Sequence, residues 1–152
     1  ESCTGGLVGH RLTNVAGSSA YVRGAVVAYA NAAKEALLGV RPETLAAHGA
    51  VSEETAAEMA AGARRAFGST LAVATTGIAG PGGGTPEKPV GTVCLGLAVE
   101  AGVVTRRYQL WGTRDWVKLL ASQVALDWIR RHLVGLPVTE SYLTRPPSAG
   151  AP

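Results

Sequence analysis

The chain has 152 residues, a length for one domain, and its 47% hydrophobic against 16% charged residues support a packed core rather than disorder. A net charge of +3 without a Lys/Arg block argues against direct nucleic-acid binding, and no apolar run approaches the ~18 residues of a membrane span. Glycine is the outlier: the 20 glycines exceed the usual ~7% share, lack the every-third spacing of collagen, and concentrate near 2–6 and between 77 and 91.

Leu7, Val8, Arg11, Leu12 and Val15 recur at helical spacing and predict a helix over 6–15, ended by Ala16-Gly17-Ser18-Ser19. The β-branched, apolar run from Val22 to Tyr29 reads as a buried strand. Asn31 is placed to cap a helix carrying Ala32, Lys34, Leu37 and Leu38, with Gly39 as its stop. Ser52 followed by Glu53 and Glu54 is a strong helix start, a hydroxyl cap and then acids in the positive first turn, and the helix runs to Phe67. Leu71 to Thr76 reads as a short strand, followed by the glycine-rich loop. Val90 to Glu100 and Val103 to Trp111 read as strands joined by a turn at Ala101-Gly102. Thr113 caps a last helix with Val117, Leu120, Ala121, Val124 and Trp128 on its inner face, and Gly135 ends it.

Helices alternating with strands, plus one hairpin, imply an α/β domain over 1–135: a three-layer α/β/α sandwich with a mixed sheet. The tail 136–152, rich in Pro, Ser and Gly, is expected to be extended or weakly ordered unless it packs on a neighbour. Cys3 and Cys94 lie far apart with nothing to pair them, which fits a reducing, cytoplasmic compartment. No signal peptide is visible, and a chain that opens on a motif without an initiator Met suggests residues upstream.

Four motifs carry chemistry. In Glu1-Ser2-Cys3-Thr4-Gly5-Gly6 a hydroxyl and two glycines precede a helix, where free N–H groups suit an anion or a developing oxyanion. Ser2 or Thr4 could serve as nucleophile or phosphate contact, and the same residues also describe an ordinary N-cap. Tyr29-Ala30-Asn31-Ala32-Ala33-Lys34 sets a phenol at a strand end and an amine five residues on. A Lys is a usable base only where burial or a nearby cation lowers its pKa. A Ser–Lys pair assisted by Tyr is a known route to acyl transfer without histidine. Thr75-Thr76-Gly77-Ile78-Ala79-Gly80-Pro81-Gly82-Gly83-Gly84 and the residues on to Thr92 form neither a Walker A loop nor a dinucleotide fingerprint. They read as a binding loop whose prolines limit motion. Arg114, at the start of the last helix, is badly placed for the helix dipole, so it either meets a bound phosphate or carboxylate or pairs with Asp115. His10, His48, His132 and the two cysteines have no metal-ligand spacing, and Cys3 has no histidine obviously positioned to activate it.

Together ESCTGG at 1–6, GSSAY at 17–21, YANAAK at 29–34, HGAVSEETA at 48–56 and TGIAGPGGGTPEKPVGTV at 76–93 resemble the CinA C-terminal domain family, the nicotinamide-nucleotide amidohydrolases, over nearly all of 1–134. The resemblance implies hydrolysis of the carboxamide of nicotinamide mononucleotide to nicotinic acid mononucleotide and ammonia, in pyridine-nucleotide recycling, without metal or cofactor. It implies Ser2 as nucleophile, Lys34 as general base and Tyr29 as their partner. Thr4, Gly5, Gly6, Thr76, Gly77, Ala79 and Gly80 would line the substrate, with Arg114 on its phosphate. The chain departs from the family at Ala30 and Ala32, where Ser and Glu are common, and the strand that usually precedes ESCTGG lies outside it. A different class of function stays open beside this one: a non-catalytic nucleotide-binding or regulatory module linked to competence or DNA damage. A homodimer or higher homo-oligomer is the expected state, on the strength of a site at strand ends and exposed apolar helices.

Overall fold

The computed structural model describes residues 1–139; most of the proline-rich tail, 140–152, lies outside the described residues. The elements run α1 (Leu7–Thr13), a 3₁₀ turn (Ser18–Ala20), α2 (Asn31–Leu38), α3 (Pro42–His48), α4 (Glu53–Phe67), β1 (Ala72–Gly77), β2 (Thr92–Val99), β3 (Gly102–Gln109) and α5 (Arg114–Leu133).

The sheet is β1-β2-β3 and wholly antiparallel, not mixed. Thr76 faces Cys94 across β1 and β2, and Val93 faces Tyr108 across β2 and β3. The mixed sheet fails because the 22–29 segment, although extended, joins no ladder. It is also mostly exposed rather than buried, with Val27 at 50% and Tyr29 at 62%. Among the described residues, main-chain bonds of Glu1 and Ser2 bridge it to the sheet, and Ala28 packs with Ala74 and Ala98. The Glu1 main-chain nitrogen donates to Val26 O (2.7 Å), Ala28 N–H donates to Glu1 O (2.9 Å), and Ser2 N–H donates to Thr75 O (2.9 Å). Beside this bridge an apolar groove of about 470 Å³ runs between 22–26 and β1, lined by Val8, Leu12, Met59 and Phe67 among others.

Alternation along β2 divides the core. Val93, Leu95 and Leu97 point to α5, where Val117, Leu120, Ala121, Val124 and Trp128 are buried with Val8 of α1. Trp128 packs edge-on to Tyr108 at 6.1 Å and its indole N–H donates to the phenol oxygen at 2.9 Å, so the buried polar atom is satisfied. Ala74 and Ala98 point the other way, onto Met59 and Ala60 of α4 and Leu38 of α2. Two glycines make that second face possible. A Cβ on Gly96 would stand 2.5 Å from Ala56 O, and one on Gly62 would stand 1.8 Å from Leu38 O, so α4 lies directly on the sheet and α2 directly on α4.

The start of α4 is as expected: Ser52 Oγ accepts Thr55 N–H at 3.1 Å, and Glu53 and Glu54 fill the first turn. The hairpin turns through Glu100 and Ala101, one residue earlier than expected, with Gly102 already paired to Val99. Asn31 is the first residue of α2 rather than its cap. Helix α3 was not expected; it is short, starts on Pro42 and has no side-chain cap. Cys3 and Cys94 are both free and buried. No helix among the described residues is long and apolar enough to cross a membrane.

Candidate active site

Ser2 sits where the Glu1–Ser2 bridge turns into α1, and Lys34 sits on the inner face of α2; both are buried, at 8% and 1% exposure. Lys34 Nζ makes three contacts: Ala28 O at 3.0 Å, Tyr29 O at 3.0 Å and Ser2 Oγ at 3.3 Å. Two of the three are carbonyls, which can only accept. The amine must therefore spend two N–H bonds on them in either protonation state. Its remaining position faces Ser2, as an N–H when charged and as a lone pair when neutral. Burial lowers the Lys34 pKa from the ordinary lysine value, which favours the neutral form.

Tyr29 enters differently from the sequence expectation. Its main-chain carbonyl orders the Lys34 amine, while its phenol oxygen accepts from Arg114 at 3.1 Å. Arg114 also donates to Gly80 O at 2.8 Å, so it ties the glycine-rich loop to the 22–29 segment instead of pairing with Asp115. Two of its five N–H groups are used in these bonds, leaving donors for an anion.

The cavity in front of Ser2 has a volume of about 210 Å³. Of the expected residues Ser2, Tyr29, Lys34, Thr76, Gly77, Ala79 and Arg114 line it. Thr4, Gly5, Gly6 and Gly80 are not among its lining residues. Cys3, Asn31, Ala50 and Val51 line it as well and were not among the residues expected there. Ala50 and Val51 lie within the HGAVSEETA stretch, so a signal for them existed. Thr76 Oγ1 donates to Ala50 O at 2.7 Å and so sets that wall against β1. The Asn31 side chain has no hydrogen-bond partner among the described residues and faces the cavity. Cys3 is no rival nucleophile: burial pushes its thiol up to about 12, so it stays protonated near neutrality.

The loop between β1 and β2 is held rather than loose. Ile78 N–H donates to Thr92 O (2.8 Å) and Gly91 N–H to Ile78 O (2.7 Å), closing its base; Lys88 Nζ donates to His48 O (2.7 Å) near its far end.

Glu1 alters the oxyanion expectation. Its carboxylate accepts from Gly6 N–H (3.1 Å), Val8 N–H (3.0 Å), Gly9 N–H (2.8 Å) and Thr4 Oγ1 (2.5 Å). Leu7 N–H goes to Thr4 O. The first N–H groups of α1 are thus already spent, and the helix start is not open to an anion. Gly5 N–H is spent on Ser2 O. Within the turn, Cys3 N–H and Thr4 N–H have no acceptor on another residue among the described residues.

No group of three or more His, Cys, Asp or Glu among the described residues could hold a metal. The arrangement is that of a serine–lysine site in an α/β domain: a buried hydroxyl, a buried amine aimed at it, and adjacent N–H donors. Residues 1–133 match the CinA C-terminal domain, and the chain belongs to that family. It is similar to a CinA-like protein of Mycolicibacterium gilvum, 59% identical over 136 residues, covering 89% of this chain and 32% of that protein. A CinA-like protein of Geobacter sulfurreducens is 55% identical, with 88% and 32% covered. The chain therefore spans about a third of the length of these curated relatives. Among solved structures, the competence/damage-inducible protein CihA from Agrobacterium tumefaciens superposes with a TM-score of 0.83 at 46% identity, covering 85% of this chain and 79% of that one. The competence damage-inducible protein A from Klebsiella pneumoniae superposes at 0.84 with 36% identity, covering 88% and 83%.

Proposed function

We propose that the domain hydrolyses the carboxamide of nicotinamide mononucleotide to nicotinic acid mononucleotide and ammonia. The observation that carries this reading is the 3.3 Å approach of the buried Lys34 amine to Ser2 Oγ, with its other two bonds fixed on carbonyls. Neutral Lys34 takes the Ser2 proton as Oγ attacks the carboxamide carbon. The N–H groups of Cys3 and Thr4 receive the oxyanion; one such donor is worth ~3–4 kcal/mol. Protonated Lys34 then gives its proton to the departing nitrogen, and ammonia leaves an acyl ester on Ser2. Water, deprotonated by the same amine, cleaves that ester and returns the acid and free Ser2.

Arg114 supplies the anion contact through the N–H groups that Gly80 and Tyr29 leave free. Asn31 offers an amide to the substrate. No metal or cofactor takes part in this scheme. The reaction belongs to nucleotide recycling, and a homodimer or higher homo-oligomer in a cytoplasmic setting is the proposed context. The Ser2–Lys34 contact favours this hydrolase over a binding module that would hold the mononucleotide unchanged.

Incubation with nicotinamide mononucleotide and an ammonia assay tests the reading. The wild type releases ammonia, while Ser2→Ala binds the mononucleotide and releases none. Binding without ammonia in the wild type would instead identify the binding module.

A further inference from the structure

We propose that Glu1 is a positioning residue for the Ser2 turn, holding the nucleophile and its two adjacent N–H donors through a buried hydroxyl chain. The inference rests on the hydrolase reading for its kinetic consequence and on hydrogen bonds alone for its structural one. Helix α1 begins on Gly6 in a left-handed conformation and has no side-chain cap of its own. The Glu1 carboxylate does that work from outside the helix. It takes Val8 and Gly9 N–H, the second and third helical donors, together with Gly6 N–H.

Its fourth bond sets the direction of the rest. Thr4 has one hydroxyl proton, and a carboxylate can only accept, so that proton goes to Glu1. In the 2.8 Å contact between Thr4 and Thr75 the donor is then Thr75. Both threonines are buried, at 1% and 0% exposure. The main-chain carbonyl of Thr75 meanwhile accepts Ser2 N–H. Residues 2–4 are thus held from two sides: by Lys34 on the Ser2 hydroxyl, and by Glu1 and Thr75 behind the turn. Misplacing a nucleophile by ~1 Å can cost ~100-fold, so loosening the rear clamp slows chemistry without removing any group that touches substrate.

The test uses Glu1→Ala, Thr4→Val and Thr4→Ser in the full chain, with turnover counted per folded molecule. Glu1→Ala and Thr4→Val lower kcat about tenfold or more and leave KM within about twofold, whereas Thr4→Ser, which keeps the hydroxyl, stays within about threefold of wild type. Amide exchange at Gly6, Val8 and Gly9 accelerates in Glu1→Ala. Faster exchange with kcat unchanged would reduce Glu1 to a helix cap and overturn the proposal, as would a rise in KM alone. If the wild type releases no ammonia, the hydrolase reading fails by itself. The rate at which a fluorophosphonate labels Ser2 then decides: a drop in Glu1→Ala supports the positioning role, and an equal rate overturns it.

Discussion

The two glycine clusters do different jobs by different means. Residues 1–9 are fixed by side chains shielded from water: a half-buried carboxylate with four donors, two buried threonine hydroxyls, and a buried lysine amine with three partners. Residues 78–91 are fixed by backbone bonds at their base and by exposed cations reaching to carbonyls, Lys88 to His48 and Arg114 to Gly80. Buried, satisfied bonds resist displacement because breaking one strands a partner away from water, at ~1–3 kcal/mol. Exposed bonds are exchanged for water at little cost. On the proposed reading, the chemistry lies on the cluster held by shielded bonds and substrate contact on the one whose side-chain ties are exposed.

The contrast is sharpest at Ser2 and Lys34. Ser2→Ala and Lys34→Met are each expected to cost roughly a thousandfold or more in ammonia release while keeping a cooperative fold, as read by turnover and thermal melting. Arg114→Ala, on the side with exposed ties, is expected to cost about 10–100-fold in kcat/KM, chiefly through KM, as befits a lost charged hydrogen bond. Lys88→Ala should cost about twofold or less. An equal loss for Lys88→Ala and Lys34→Met would erase the distinction between the clusters.

Packing links the shielded cluster to the core. Gly62→Ala drives a Cβ toward Leu38 O and pushes α2, which carries Lys34, away from α4. A stability loss of about 1–3 kcal/mol in urea is expected, together with a fall in turnover; stability loss with normal turnover would mean that Lys34 is not held through α2.

Protonation offers a subtler probe. Burial lowers the Lys34 pKa, and in the proposed mechanism the neutral amine is the base, so kcat/KM is expected to rise with pH and level off below the usual lysine value of ~10.4. Linkage has the same sign: with the folded pKa lowered, the unfolded chain binds more protons in that window. Stability contributed by this group thus rises with pH through the lowered value and is flat above the ordinary one. Urea midpoints across that range isolate the effect, because Lys34→Met loses this contribution.

Some of this was legible in the sequence for physical reasons. Caps and periodicity announced α4 and α5, and two strand-like runs around Ala101-Gly102 announced the hairpin, because each signal is local. The partnership of a strand is not local: the run 22–29 is apolar enough to be extended, but nothing in it says which edge it meets, and the mixed sheet was lost there. The pairing of Ser2 with Lys34 was available only through the family resemblance, since 32 positions separate them. Glu1 stood in plain view within ESCTGG. Its role was hidden because its four donors converge only when the turn closes. Asn31 was read as a cap, a common use of Asn, and the cap position proved to be Ala30, leaving its amide to the cavity.

The activation of Ser2 by Lys34 is the central claim, and covalent labelling addresses it whatever the substrate. A fluorophosphonate at neutral pH, followed by peptide mapping, should mark Ser2 in the wild type and fail to mark it in Lys34→Met. Equal labelling of Ser2 in both proteins, or labelling of neither, would contradict the account.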